Sequence, residues 1–66
     1  MRENNENLKV LQTKDLMKYL KIGKDRAYAL MRQNGFPSIK IGKTFIVTQE
    51  ALETWLKNNE GRSINI

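Results

Sequence analysis

The sequence predicts an α+β fold, mainly α: three short helices with a two-stranded β-hairpin between the second and the third. Three observations carry this. Residues 13–21 and 24–33 each have a helical spacing of apolar side chains, and only Ile22 and Gly23 separate them, which leaves room for nothing but a sharp corner. Residues 37–47 alternate as strand, turn and strand about Gly42-Lys43. A third helical pattern follows from Thr48 to Lys57.

In the first helix, Thr13 is the expected N-cap, with Gln12 as the alternative start, and Asp15 suits the positive end of the helix dipole. At about 100° per residue, Leu16, Met17 and Leu20 share one face and Tyr19 flanks it. Lys14, Lys18 and Lys21 form a stripe on another face, either solvated surface or a row of phosphate contacts. Ile22 is expected to plug the core at the corner, and Gly23 to cap the second helix. In that helix Ala27, Leu30 and Met31 stand at i, i+3 and i+4 and point inward. Asp25, Tyr28, Ala29 and Arg32 lie opposite, with Lys24 and Arg26 on the flanks. Asn34-Gly35 is expected to end the helix through a left-handed glycine, and Phe36-Pro37 to turn the chain.

In the hairpin, Ile39, Ile41, Phe45 and Val47 are read as alternating with Lys40, Gly42, Thr44 and Ile46, with Gly42 supplying the positive φ of a tight turn. Strands this short must pack on the helices to be stable. Thr48 is the expected N-cap of the third helix, with Glu50 in its first turn. Ala51, Leu52, Trp55 and Leu56 form its inward stripe. Trp55 is read as the core anchor rather than a base-stacking residue, because it lies on the apolar side of an acidic helix.

The chain is 66 residues long, one small domain with a marginal core and neither Cys nor His. The expected organisation is a polar arm over residues 1–10, a folded domain over 11–58 and a tail over 59–66. Leu8, Val10 and Leu11 are apolar enough to lay a short extended piece on the core, and Ile64 and Ile66 to dock. The polar start does not read as a secretory signal, so a soluble cytoplasmic protein is expected, associated with the nucleoid when bound to DNA. No metal ligand set and no cofactor motif is recognisable, and the acids Asp15, Asp25, Glu50 and Glu53 are scattered, so no enzyme is expected.

Charge then points to a partner. The net charge is +5, and residues 9–43 carry nine basic against two acidic side chains, or +7, while the rest of the chain carries three against five, or −2. A basic centre between acidic ends suits a polyanion. A helix pair joined by a few residues and followed by a basic hairpin is the layout of a winged helix-turn-helix that reads double-stranded DNA. Single-stranded DNA or RNA fits less well, because the aromatics are placed for burial rather than as a stacking platform. A protein-interaction module, such as an antirepressor, would leave the basic centre without a role.

The residues also carry a resemblance. Residues 20–31, Gly35-Phe36-Pro37, residues 39–43 with Ile-Lys-Ile-Gly-Lys, and residues 51–56 with Ala-Leu-Glu-Thr-Trp-Leu resemble the excisionase-type winged helix-turn-helix domains, distant relatives of the MerR-type DNA-binding domain. The likeness covers about residues 11–57. It departs from the usual pattern at Lys21, where Gly is common, and at Gly23, where a Ser or Thr cap is common and whose lack should weaken the second helix slightly. Asp25 and Ala29 stand where basic or polar residues are frequent. The resemblance implies a phage or mobile-element excisionase or a small AlpA-like transcriptional regulator. For an excisionase it further implies repeated sites bound side by side, DNA bending, and contact with a tyrosine-family integrase.

The candidate DNA-binding residues are Lys24, Asp25, Arg26, Tyr28, Ala29 and Arg32 on the second helix, and Lys40, Lys43 and Thr44 on the wing. With that helix in the major groove, Arg32 suits bidentate bonds to guanine. Asp25 either accepts from a cytosine amine or stabilises the helix start. Tyr28 reaches a phosphate or a thymine methyl, Ala29 permits close approach, and Arg26 suits phosphate or a nearby acid. Lys40 and Lys43, expected at the hairpin tip, suit phosphates or the adjacent minor groove.

Overall fold

The computed structural model of the protein describes residues 9–66. Six elements follow one another: β1 (Val10–Gln12), α1 (Thr13–Leu20), α2 (Lys24–Arg32), β2 (Ile39–Ile41), β3 (Thr44–Thr48) and α3 (Gln49–Asn58). Three helices and a hairpin between the second and third therefore stand as expected. The sheet, however, has three antiparallel strands in the order β1-β3-β2 rather than two. The added strand pairs Val10 with Thr48, Leu11 with Val47 and Gln12 with Ile46. It also brings the Lys9 carbonyl to accept from the Gln49 amide at 2.9 Å, which satisfies one of the open donors at the start of α3. Most of the expected N-terminal arm lies outside the described residues; Val10, within them, is a sheet residue.

The first helix takes the alternative start. Gln12 is its N-cap, with its backbone N–H donating to the Asp15 carboxylate at 2.9 Å, while Thr13 is the first helical residue and is buried. Leu16 is fully buried, and Met17, Leu20 and Ile22 pack partly buried around it. The helix stops at Lys21, whose φ of 58° and ψ of 48° make it left-handed, with the amides of Lys21 and Ile22 both closing on the Met17 carbonyl. Among the described residues it is the only non-glycine with positive φ. A side chain there is held against a steric penalty of about 1 kcal/mol, so Lys21→Gly is expected to raise stability by about 0.5–1 kcal/mol. A higher denaturant midpoint at unchanged m-value is the check.

Helix α2 buries Ala27, Leu30 and Met31, the three residues that the helical spacing points inward. Its end differs from expectation. The C-cap is Gln33 in an extended conformation, not a left-handed Gly35. Gly35, with φ of 95°, is instead the third residue of a turn closed by the Phe36 amide on the Gln33 carbonyl at 3.1 Å, the position that a type II turn reserves for glycine. That turn delivers Phe36 into the core, 7% exposed, where its ring meets Trp55 edge-on at 4.9 Å and 76°. Trp55 is half-buried and packs beside the core; the fully enclosed side chain of α3 is Leu52.

The hairpin requires a correction of faces. Its two-residue turn pairs Ile41 with Thr44, Lys40 with Phe45 and Ile39 with Ile46. Partners across a ladder point to the same side, so the face that carries buried Val47 also carries Leu11, Phe45 and Lys40. Ile39 and Ile41, read as companions of Phe45 and Val47, lie on the opposite face with Val10 and Ile46, and are 51% and 60% exposed. Gly42 has the expected positive φ, 62°, at the first position of the turn, as a type II′ hairpin needs. Thr48 caps α3, accepting from the Ala51 amide at 3.1 Å. Tyr19 on α1 donates to the Glu53 carboxylate at 3.3 Å, and Gln49 donates to the same oxygen at 3.0 Å, tying α1 to α3. Partial desolvation first, and then the Glu53 charge and hydrogen bond, raise the Tyr19 phenol above its ordinary pKa, so it remains a neutral donor. Beyond α3, Ile64 folds back and packs against the core. Among the described residues no helix is long and apolar enough to cross a membrane.

Candidate nucleic-acid interface

Burying Ala27, Leu30 and Met31 leaves the opposite side of α2 in solvent. Helical geometry puts Asp25 and Arg32 near the middle of that outer face, two turns apart, with Tyr28 and Ala29 beside them. Tyr28, Asp25 and Arg32 are exposed, Tyr28 at 37%, while Ala29 is partly buried and small. Lys24 and Arg26 are exposed on the two flanks of the same helix. The outer face is thus a strip with a carboxylate near the positive end of the helix, a guanidinium in its last turn and a phenol between them. Its charged ends both complement the helix dipole.

The strip is positioned by the corner before it and by packing on α1. The three-residue corner of Lys21, Ile22 and Gly23 starts α2 directly after α1, and α2 packs chiefly on α1. Gly23 caps α2 without a side-chain hydrogen bond. The capping contribution that Ser, Thr or Asp would add is therefore missing at the start of this helix.

The wing residues separate by register. Lys43 sits in the turn itself and is exposed, as expected. Lys40 is not at the tip: it stands on β2 opposite Phe45, with its ammonium 5.6 Å from the centre of that ring. The contact places the cation on the face of the sheet that looks toward the helices. Thr44, paired with Ile41, is exposed on the other face. Among the expected wing contacts, then, Lys40 and Thr44 point to opposite sides and Lys43 stands in the turn.

The strip on α2 and the wing are two separate sets of exposed side chains on elements that share the core beneath them. Their direct connection is the loop of residues 33–38. Within it the Ser38 hydroxyl donates to the Met31 carbonyl at 2.6 Å, and the Ser38 amide donates to the Phe36 carbonyl at 2.8 Å. Ser38 was not legible as part of the site, since a lone serine after Phe36-Pro37 has no local pattern and its partner is seven residues away.

A corner-linked helix pair with a polar outer strip on the second helix, followed by an antiparallel wing, defines a helix-turn-helix protein of the winged type. A family model described as a helix-turn-helix domain matches residues 10–60, and the chain belongs to that family. The match begins at β1 and runs past the end of α3, so it takes in all six elements. The family implies DNA as the partner. No curated protein and no solved structure matched the chain.

Proposed function

We propose that this protein is a sequence-specific double-stranded DNA-binding protein that acts as an excisionase, a recombination directionality factor. It binds near attachment sites, bends the duplex and assists a tyrosine-family integrase in excising a phage or mobile element. The observation that carries the DNA-binding part is the free outer strip of α2, with Asp25, Tyr28 and Arg32 in solvent, followed in the chain by a basic wing. The excisionase part rests on the resemblance of residues 11–57 to excisionase-type domains.

In this reading α2 lies in the major groove. Arg32 donates two hydrogen bonds to guanine O6 and N7, and Asp25 faces a cytosine amine or holds the helix start. Lys24 and Arg26, on the flanks, reach the phosphates on either side of the groove. Lys43 at the tip of the wing reaches a phosphate or the neighbouring minor groove, and Lys40 adds a second cation on the helix-facing side of the sheet. These lysines supply affinity without sequence information. One domain of this size covers roughly 600–1,000 Å² of protein surface, so useful specificity comes from several copies side by side or from a partner protein.

The test is to sequence the fragments that the purified protein captures from host and element DNA at near-physiological salt. Clustered sites flanking an attachment sequence are the expected result. Sites at promoters would replace the excisionase reading with a small AlpA- or MerR-like transcriptional regulator using the same contacts. No enrichment over random DNA would contradict sequence-specific binding by the isolated chain.

A further inference from the structure

The two sets of side chains assigned to the duplex have to meet it together. A reading helix in the major groove fixes the position of the protein, and the wing then reaches the backbone only if it stands at the right distance and angle. Helix α2 packs chiefly on α1 and the wing on β1 and α3, and the two share one core through Leu30, Met31 and Val47. Beside that shared core, their direct covalent link is the loop from Gln33 to Ser38.

That loop is pinned at both ends. Helix α2 ends abruptly at an extended Gln33, so the Met31 carbonyl is one of the terminal acceptors that the helix itself leaves open. The Ser38 hydroxyl fills it at 2.6 Å in a partly buried setting. The Ser38 amide closes a three-residue turn on Phe36, about Pro37, whose ring restricts φ. Phe36 is itself held in the core against Trp55. Ile39, the next residue, begins β2. One side chain therefore joins the last turn of the reading helix to the root of the wing.

We propose that Ser38 is a positioning residue for duplex binding, which, by holding the Met31 carbonyl, sets the stance of the wing relative to α2 so that Lys43 engages the backbone while Arg32 is in the groove. The inference rests on the duplex-binding reading above. It assigns Ser38 no contact with DNA. Its effect should therefore appear as a loss of what Lys43 contributes, not as a change in which base is preferred.

A double-mutant cycle in the full chain tests it, with Ser38→Ala, Ser38→Thr and Lys43→Ala, alone and combined, on one captured site and one scrambled duplex. Thermal melts of each variant set a temperature at which all are folded. Ser38→Ala is expected to weaken binding to both duplexes by roughly three- to tenfold, leaving their ratio unchanged. In that background Lys43→Ala should cost less than about twofold, and the salt slope should already be shallower by close to the share of one charge. Ser38→Thr, which keeps the hydroxyl, should restore both. If Lys43→Ala costs the same factor with and without the Ser38 hydroxyl, Ser38 is a structural residue only and the proposal is wrong. If the unsubstituted chain shows no salt-dependent duplex binding, the proposed function fails, and this inference with it.

Discussion

Leu16→Ala is expected to remove most of the stability of this domain. Leu16 is fully enclosed in a cluster with Ala27, Leu30, Met31, Phe36, Val47 and Leu52, drawn from all three helices, the central strand and the loop before the wing. Deleting its branched end lowers stability by about 2–5 kcal/mol, through lost burial and the cavity left behind. A single core in a chain this short rarely supplies more than about 3–5 kcal/mol in all. The helical circular dichroism of the variant should then melt at least about 10 °C lower, or show no cooperative transition. Ile41→Ala is the contrast. Ile41 is 60% exposed on the outer face of the wing, and its replacement should change stability by no more than about 0.5 kcal/mol. Equal losses from the two would contradict the register of the hairpin.

The second large effect concerns recognition. Arg32→Ala is expected to weaken binding to the preferred site by about 1–3 kcal/mol and to relax preference at a single base position. Lys43→Ala should instead weaken all duplexes alike and flatten the salt dependence by about one charge. Arg32 stands in the last turn on the outer strip of α2, while Lys43 stands in the wing turn, and the assignment follows from those two places. A competition assay over a library of single-base variants reads the first effect, and a salt titration the second. Uniform loss from both substitutions would end the proposed division between base reading and phosphate holding.

Helical faces were legible because their information is local. Ala27, Leu30 and Met31 announce the buried side of α2 by spacing alone, and the short corner and Gly42 announce where the chain must bend. Of strand β1 the extended piece at Val10 and Leu11 was legible, but not its pairing into the sheet. The strand is three residues long, too short to show a period of two, and it exists because Val10, Leu11 and Gln12 pair with residues more than thirty positions away. The faces of the wing were misassigned for a related reason. Strict alternation across Gly42-Lys43 groups Ile39 and Ile41 with Phe45 and Val47, whereas a two-residue turn pairs Ile41 with Thr44 and shifts the parity of every later residue. That shift exposes Ile39 and Ile41, and it moves Lys40 from the tip to the side of Phe45. Phe36 looked like part of a turn because Pro37 follows it, yet the turn is what drives its ring into the core. In the candidate site the exposed strip of α2 was readable from the same periodicity as the core, while Ser38 depends on a loop conformation that no pattern encodes.

The central claim is that the basic centre of the chain meets duplex phosphate through α2 and the wing. Its most direct test is the affinity of the unsubstituted protein for a captured site, measured from about 50 to 200 mM salt. With Lys24, Arg26, Lys40 and Lys43 on phosphates, log K should fall linearly with log salt at a slope of about −3.6. A slope indistinguishable from zero, or binding that does not depend on duplex at all, would contradict the account.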